Sequence, residues 1–210
     1  MPNISVAFDF DGTIIDVSHR DYAIYSDLIK ELDGSIIPFE LYWQLRRSRT
    51  DIYQILYKSH IFLQEKAERF LQLRQERMED NYYLKLDSIL PNTLENIENN
   101  RDLFNAYLVT TRFNTNNLAH QVERFKLNQI FERIICADRN KFEFYSAVPN
   151  LKIIVGDTEN DIIVANTMGI DSVAVLSGIR NMELITQYNP TYICKSVGYI
   201  DFRKIINNYE

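Results

Sequence analysis

Two aspartates, Asp9 and Asp11, end an apolar segment in the stretch VAFDFDGT, and Gly12 follows them. Two like charges at the end of a buried strand repel each other, so their pairing indicates a chemical use. Paired carboxylates bind a hard divalent cation, or they share acid and base work because repulsion separates their pKa values. Gly12 can adopt the backbone conformation that a turn after the strand requires. Both uses of the carboxylates suit a phosphate ester as substrate.

The strands that must position these side chains are short apolar runs. ISVAF, AYLV and KIIV each stop at a polar cluster, and a fourth run, SVAVL, follows Gly169. Near-continuous apolarity is typical of parallel strands covered on both faces. Helical patterns over 114–127 and 159–169 lie between the runs, with Gly169 as a predicted helix stop and Thr158 and Asp161 at the spacing of a capping box. This alternation predicts a doubly wound α/β fold with a parallel sheet.

One segment departs from the alternation. Residues 16–87 contain almost no glycine and have helical apolar spacing, as in Tyr22, Tyr25, Leu28, Ile29 and Leu32. We predict an inserted helical domain over 16–87 and an α/β core domain made of residues 1–15 and 88–210.

Polar residues follow three of the predicted strands. Thr110 and Thr111 end AYLV, and Asp157 and Asp161 lie in GDTEND after KIIV. Ligands of open parallel sheets bind at the carboxyl ends of the strands, so these residues should meet Asp9 and Asp11 there. A carboxylate nucleophile approaches a phosphoryl anion only where a cation neutralises the charge. Mg²⁺ on Asp9 and Asp157, together with Lys141, would do so.

The ordered set of DFDGT, Thr110, Lys141 and GDTEND resembles the haloacid dehalogenase superfamily. It is most similar to the phosphoglycolate phosphatase and β-phosphoglucomutase branch, which carries a helical cap after the first strand, on a Rossmann-like core. VAVLSGIR resembles the last strand and loop of that family. Two positions differ from the pattern: Phe142 follows the lysine in place of proline, and Thr111 stands where asparagine is frequent.

The resemblance implies a role for each matching residue. Asp9 would be the nucleophile that forms an aspartyl-phosphate, and Asp11 would protonate the leaving oxygen and then activate water. Thr110 would bind a phosphate oxygen, and Lys141 would hold the phosphate and the nucleophile, with Arg139 as the nearest rival for that role. The predicted Mg²⁺ site consists of Asp9, Asp157, the Asp11 carbonyl and, directly or through water, Asp161.

The predicted substrate-binding residues are Gly12, Thr111, Arg47 and Arg49. The two arginines belong to LRRSRTD, where a helix is expected to break. Guanidinium groups match the geometry of carboxylates and phosphates, so one of them would read a second anionic group of the substrate. A solvated basic helix end explains the same pattern equally well.

Composition limits the partners and the location. The 210 residues are 46% hydrophobic with a net charge of −6, which predicts a globular protein and disfavours nucleic-acid and membrane-surface binding. No apolar run has the length of a membrane span, and no signal-type segment precedes Asp9, so we expect a cytoplasmic protein. Cys136 and Cys194 lack companions at zinc or disulfide-framework spacing and are interpreted as strand residues. The expected partner is a small phosphomonoester, and the oligomeric state does not follow from the sequence.

The main prediction is a Mg²⁺-dependent phosphatase, and two alternatives stay open. A phosphomutase of the same superfamily would have Thr and His where Val17 and Asp21 stand. A non-catalytic binding protein on the same fold would have no need to retain all four charged site residues. A phosphoaccepting receiver module is disfavoured because its lysine comes last, whereas here GDTEND follows Lys141. Asp11 disfavours a dehalogenase, and no lysine for a phosphonate-cleaving enzyme is evident near Asp16.

Overall fold

The centre of the molecule is a parallel β-sheet. The computed structural model describes residues 4–112, 114–137 and 141–209. Within these ranges the strands are β1 (Ser5–Phe8), β2 (Ile15–Asp16), β3 (Ser88–Ile89), β4 (Asn105–Thr111), β5 (Arg133–Ala137), β6 (Leu151–Gly156), β7 (Asp171–Val175) and β8 (Tyr192–Cys194). Six of the described strands form one sheet in the order β5-β4-β1-β6-β7-β8, and all of its pairings are parallel.

Helices cover the sheet and fill the segment between β2 and β3. In the described ranges they are α1 (Ser18–Glu31), α2 (Phe39–Arg47), α3 (Ile52–Lys58), α4 (Gln64–Arg77), α5 (Asn81–Leu84), α6 (Thr93–Glu98), α7 (Thr115–Arg124), α8 (Lys141–Ser146), α9 (Glu159–Met168), α10 (Met182–Thr186) and α11 (Phe202–Ile206). No helix of these ranges is both long enough and apolar enough to cross a membrane. The predicted doubly wound α/β class is confirmed.

The four apolar runs of the sequence are β1, β4, β6 and β7, as predicted. Their side chains are buried because the strands occupy the middle of the sheet, and Val6, Phe8, Leu108 and Val155 belong to one apolar core. Cys136 and Cys194 are free thiols in the two edge strands, which agrees with their interpretation as strand residues.

The two predicted core helices are α7 and α9. Gly169 ends α9 with φ +66°, a left-handed conformation that suits glycine, so the predicted helix stop is confirmed. The predicted capping box is wrong. Thr158 is the N-cap residue of α9, but its hydroxyl donates to Asp161 Oδ2 at 2.8 Å and caps no backbone amide. The reason is that Asp161 is already turned into the site described below.

Helices α1–α5, called here the helical unit, have an apolar cluster of their own. Ile24, Tyr25, Tyr42 and Phe70 are completely buried in it. The chain enters and leaves this unit through β2 and β3, which pair antiparallel with Asp16 opposite Ser88. The helical unit thus has its own apolar core, and the two chain segments that join it to the sheet are paired with each other. Both features are expected of a unit inserted between the first two strands of the sheet along the chain.

Candidate active site

The polar residues predicted from the sequence lie at one edge of the sheet. Asp9 directly follows β1, Thr110 is the penultimate residue of β4, and Asp157 directly follows β6. Because β4, β1 and β6 are neighbouring parallel strands, their carboxyl ends lie side by side. Asp161 in the first turn of α9 and Lys141 at the start of α8 reach the same edge. Arg139, the rival for the lysine role, is outside the described residues.

Lys141 connects two of the carboxylates. Its Nζ lies 2.7 Å from Asp9 Oδ1 and 2.9 Å from Asp161 Oδ1. Burial alone would lower the pKa of Lys141, but Asp161 and Asp9 raise it well above its usual value. Burial raises the pKa of Asp9 to about 6, although the ammonium group acts in the opposite direction. At neutral pH the site therefore contains a carboxylate directly beside a permanent positive charge.

Three aspartates form a potential cation site. Oxygen atoms of Asp9, Asp157 and Asp161 lie within 4.8 Å of one another, and all three residues are buried. Asp157 Oδ1 is buried with no hydrogen-bond partner among the described residues. Burial, followed by the charge of Asp9, raises the pKa of Asp157 well above its usual value. A hard divalent cation would supply the partner that Oδ1 lacks, so the donor set fits Mg²⁺.

Asp161 is held by three donors. Besides Lys141 and Thr158, the Tyr145 hydroxyl donates to its Oδ1 at 2.9 Å. Tyr145 is completely buried. Its role was not predicted, because the i, i+4 spacing from Lys141 on α8 is the only sequence signal and tyrosine is an ordinary core residue. These contacts orient Asp161 toward Lys141.

Asp11 turns away from the aspartate cluster toward two arginines. Gly12 makes the turn with φ +78°, as predicted. Asp11 Oδ1 accepts from Arg20 Nη2 on α1 and from Arg112 Nη2 after β4, each at 2.7 Å. Burial would raise the pKa of Asp11, but Arg112 and Arg20 hold it below its usual value. The side chain of Asp11 is a carboxylate in this arrangement.

Arg112 is a site residue that sequence reasoning missed. Along a strand, residues two apart share a face, so Arg112 returns to the side of Thr110. Thr110 and Arg112 are buried, whereas the predicted Thr111 between them is exposed. Alternation along β4 was the signal that would have identified Arg112. Arg20 had no such signal, since it reaches Asp11 only through the packing of α1.

The predicted substrate arginines contact the core. Arg47 Nη2 donates to the Leu176 carbonyl at 2.8 Å and to the Arg180 carbonyl at 3.2 Å. Arg49 lies 3.2 Å from Glu159 Oε1, and its side chain is more than half exposed. Both arginines thus lie at the contact between the helical unit and the core, and the helix does break there, because α2 ends at Arg47.

The loop that Arg47 holds also holds Asp157. In this loop, after β7, Ile179 N donates to Asp157 Oδ2 at 2.7 Å, and Ser177 Oγ donates to the Gly12 carbonyl at 2.8 Å. Gly178 between them passes so close to Asp157 that an added Cβ would lie 2.5 Å from the Asp157 Cβ and closer still to its carboxylate. The loop therefore fixes both the cation site and the turn at Gly12.

A cleft of about 1240 Å³ opens beside Asp11. It lies between the helical unit and the loop after β4. Its polar lining includes Arg20, Arg74, Glu79, Arg112 and Asn114. Of the site carboxylates described above, Asp11 lines this cleft, whereas the three aspartates of the potential cation site do not.

Fold and site together define an α/β protein with an aspartate site at the carboxyl edge of its sheet. A family model of haloacid dehalogenase-like hydrolases matches residues 6–175. The chain therefore belongs to this family, as the resemblance of its motifs predicted. No curated protein sequence matches the chain significantly.

Solved structures with the same fold cover nearly the whole chain. A candidate phosphatase from Clostridium difficile is 23% identical with a TM-score of 0.75, covering 98% of this chain and 99% of its own. A predicted phosphoglycolate phosphatase from Haemophilus somnus is 17% identical with a TM-score of 0.72 and the same coverage. A candidate β-phosphoglucomutase from Thermotoga maritima is 16% identical with a TM-score of 0.62, covering 98% of both chains. At these identities the similarity is one of fold.

Proposed function

We propose that this hydrolase is a Mg²⁺-dependent phosphatase that acts on a small phosphorylated metabolite through an aspartyl-phosphate on Asp9. The observation that carries the proposal is the 2.7 Å contact between Asp9 Oδ1 and Lys141 Nζ beside Asp157 and Asp161. A lysine at this distance keeps Asp9 ionised at neutral pH and attracts a phosphate dianion to it. Membership of the hydrolase family supports the same chemistry.

In the first step, an oxygen of Asp9 attacks phosphorus and the bond between phosphorus and the ester oxygen breaks. Asp11 enters this step in its protonated form, a minority at neutral pH, gives that proton to the departing oxygen and is left as the carboxylate that its contacts with Arg20 and Arg112 favour. Lys141 balances charge on the phosphoryl oxygens. Thr110, at the end of β4, donates its hydroxyl to one of these oxygens. The products are an alcohol and a phosphorylated Asp9.

In the second step, Asp11 takes a proton from a water molecule that attacks phosphorus. The bond between phosphorus and the Asp9 oxygen breaks, and the carboxylate is regenerated with release of inorganic phosphate. The contacts of Arg20 and Arg112 favour the carboxylate form of Asp11, which is the form that this step needs.

Asp9, Asp157 and the Asp11 carbonyl would hold Mg²⁺, with Asp161 beside them. The cation would supply positive charge for the phosphate and the nucleophile. The fit rests on the buried Asp157 Oδ1, which has no partner among the described residues.

The helical unit would act as a cap over the site, so residues 16–87 would form a cap domain and residues 1–15 and 88–210 the core domain. The cleft beside Asp11 lies between the two, and closing it would exclude bulk water from the phosphorylated aspartate. Arg47 and Arg49 lie at the contact between cap and core, so we propose that they act on substrate binding through cap position.

The test is phosphate release from a panel of phosphomonoesters, with and without Mg²⁺, for the wild type and for Asp9→Asn. Metal-dependent turnover that Asp9→Asn abolishes is the expected result. Asp102→Asn is the matched control, because Asp102 is exposed and forms its ion pair within the described residues with the exposed Arg203, at 3.6 Å. Unchanged turnover in Asp9→Asn would refute the proposal.

The alternatives give different results in the same panel. A phosphomutase would isomerise a sugar phosphate when a bisphosphate activator is added and release little phosphate. The position where the mutase pattern has histidine is filled by Asp21, which is buried against Arg46 and Arg74 and does not line the cleft beside Asp11. A non-catalytic protein would bind Mg²⁺ and turn over no ester.

A further inference from the structure

Asp11 belongs to a closed ring of polar side chains, called here the Asp11 ring. Arg20 joins Asp11 to Asp87, with Arg20 Nη1 3.2 Å from Asp87 Oδ2. Gln121 Nε2 donates to the same Asp87 oxygen at 2.7 Å. Arg112 Nη2 donates to Gln121 Oε1 at 3.2 Å and to Asp11 Oδ1 at 2.7 Å, which closes the ring.

The ring connects the site to the junction of the helical unit and the core. Arg20 lies on α1, Asp87 directly precedes β3, and Gln121 lies on α7 of the core. The side chains of Arg20, Asp87 and Arg112 are 1%, 0% and 4% exposed, whereas that of Asp11 is 32% exposed. Asp11 is thus the one member whose carboxylate reaches the cleft.

Stability alone is a poor explanation for this arrangement. Buried ion pairs lose most of their Coulomb energy to desolvation, and apolar residues of similar size frequently stabilise a core as well. The apolar core on either side of the ring is already extensive. Both arginines contact the same oxygen of Asp11, so its second oxygen is left without either of them. Arg112 is also held over the Phe10 ring, 5.7 Å from its centroid, which fixes its position.

We propose that Arg20 is a positioning residue for Asp11, held in place by Asp87 and Gln121 and sensitive to the position of the helical unit. By fixing Oδ1, Arg20 and Arg112 direct Oδ2 toward the ester oxygen, where the proton is transferred. Because Arg20 belongs to α1, a displaced helical unit releases Asp11 from one of its two arginines. This inference rests on the proposed phosphatase function.

The experiment compares two substrates of one enzyme. p-Nitrophenyl phosphate has a leaving group that departs without a proton, whereas glycerol phosphate has an alkoxide leaving group that needs one. General acid catalysis contributes about 10²–10⁴-fold. Arg20→Lys keeps the charge but not the two-armed contact, so we expect kcat/KM for glycerol phosphate to fall about tenfold more than for p-nitrophenyl phosphate. A purely structural role would lower both values equally.

Two further variants keep the test decisive. Arg203→Lys, at an exposed site, is the control and should change neither value. If Arg20→Lys does not fold, as judged by thermal unfolding, Gln121→Met replaces it, since Gln121 contacts Arg112 and Asp87 but not Asp11. For Gln121→Met we also expect kcat/KM to fall more for glycerol phosphate than for p-nitrophenyl phosphate, by a smaller factor than for Arg20→Lys.

The outcomes separate this inference from the proposed function. If the wild type hydrolyses both esters and Asp9→Asn hydrolyses neither, the proposed function stands. An equal fall for both esters in the folded ring variant would then overturn the positioning role alone. If the wild type hydrolyses neither of these two esters and no other phosphomonoester of the panel in the presence of Mg²⁺, the proposed function fails and the positioning role fails with it.

Discussion

Replacing Gly178 with alanine should lower activity, because Gly178 lies in the loop after β7 that holds Asp157 in place. The added Cβ would lie 2.5 Å from the Asp157 Cβ, whereas carbon atoms in contact are normally about 3.5–4.0 Å apart. Asp157 is buried directly after β6, so we expect the partly exposed loop rather than the strand end to give way. The loop must therefore move by about 1 Å, the distance by which the contact is too short.

The size of the effect follows from what the loop holds. Moving it breaks the Ile179 to Asp157 and Ser177 to Gly12 hydrogen bonds, each worth about 1 kcal/mol, so the free energy of unfolding should fall by about 2 kcal/mol. A misplacement of about 1 Å can lower activity about 10²-fold. We therefore expect a loss of this order in kcat/KM, with more Mg²⁺ needed for half-maximal activation.

The assay is phosphate release against Mg²⁺ concentration, with urea unfolding measured in parallel. Gly169→Ala is the matched control, because an added Cβ there meets nothing within 4 Å and the cost is only that of a left-handed alanine, about 1 kcal/mol. Its activity should stay at the wild-type value. Full activity of Gly178→Ala at the wild-type Mg²⁺ requirement would refute the reasoning.

Two predictions concern buried carboxylates away from the cation site. Asp21→Asn weakens the contacts with Arg74 and Arg46, which lower the pKa of Asp21 against the effect of burial. Because these are hydrogen bonds to a charged group, the free energy of unfolding at pH 7, measured with urea, should fall by about 2–3 kcal/mol. The exposed pair variant Glu31→Gln should cost no more than about 0.5 kcal/mol. The cost of Asp21→Asn should shrink as the pH falls below 3.8, the carboxylate's ordinary pKa, and a constant cost would contradict this account. For Asp87, burial raises the pKa from 3.8 to about 6 although Arg20 lowers it, so the folded state holds the proton more tightly than the unfolded state. Its contribution to stability, up to about 3 kcal/mol, is complete below pH 3.8 and lost as the pH rises through 6. The free energy of unfolding of Asp87→Asn should therefore change less with pH between these values than that of the wild type. Parallel pH dependences of the two proteins would contradict this account.

The central part of the fold could be predicted because its strands are buried on both faces. β1, β4, β6 and β7 show as apolar runs, and each polar residue that follows one of them is placed by strand direction alone. The edge strands β5 and β8 were anticipated only through Cys136 and Cys194, which were interpreted as strand residues, and their bounds were not predicted. YIC is only three residues long, and in RIICA Arg133 is exposed while the three residues after it are only partly buried, as expected of edge strands.

Within the site, the residues in recognisable motifs were predicted and those fixed by long-range packing were not. Asp9, Lys141 and Asp161 meet as expected. Arg20 reaches Asp11 from α1, across the β2 segment that separates them in the chain, and no local pattern encodes that contact. Conversely, the arginines of LRRSRTD look equally free in the sequence, and only the fold shows that Arg47 is bonded to carbonyl groups of the core.

The pairing of β2 with β3 has a consequence for the evolution of this architecture. Asp16 and Ser88 are paired across β2 and β3, so the inserted helices leave and rejoin the core at neighbouring positions, as the two ends of a hairpin loop do. This holds for any number of inserted helices. Helices can then be exchanged, lengthened or lost without moving β1 or β6. Arg20 and Asp87 set the limit of this freedom, since a graft that replaces Arg20 removes a contact of Asp11, and one that replaces Asp87 removes the partner of Arg20. Chimeras joined after residue 20 and before residue 87 would therefore keep the contacts of Asp11 while acquiring the helical unit of another protein.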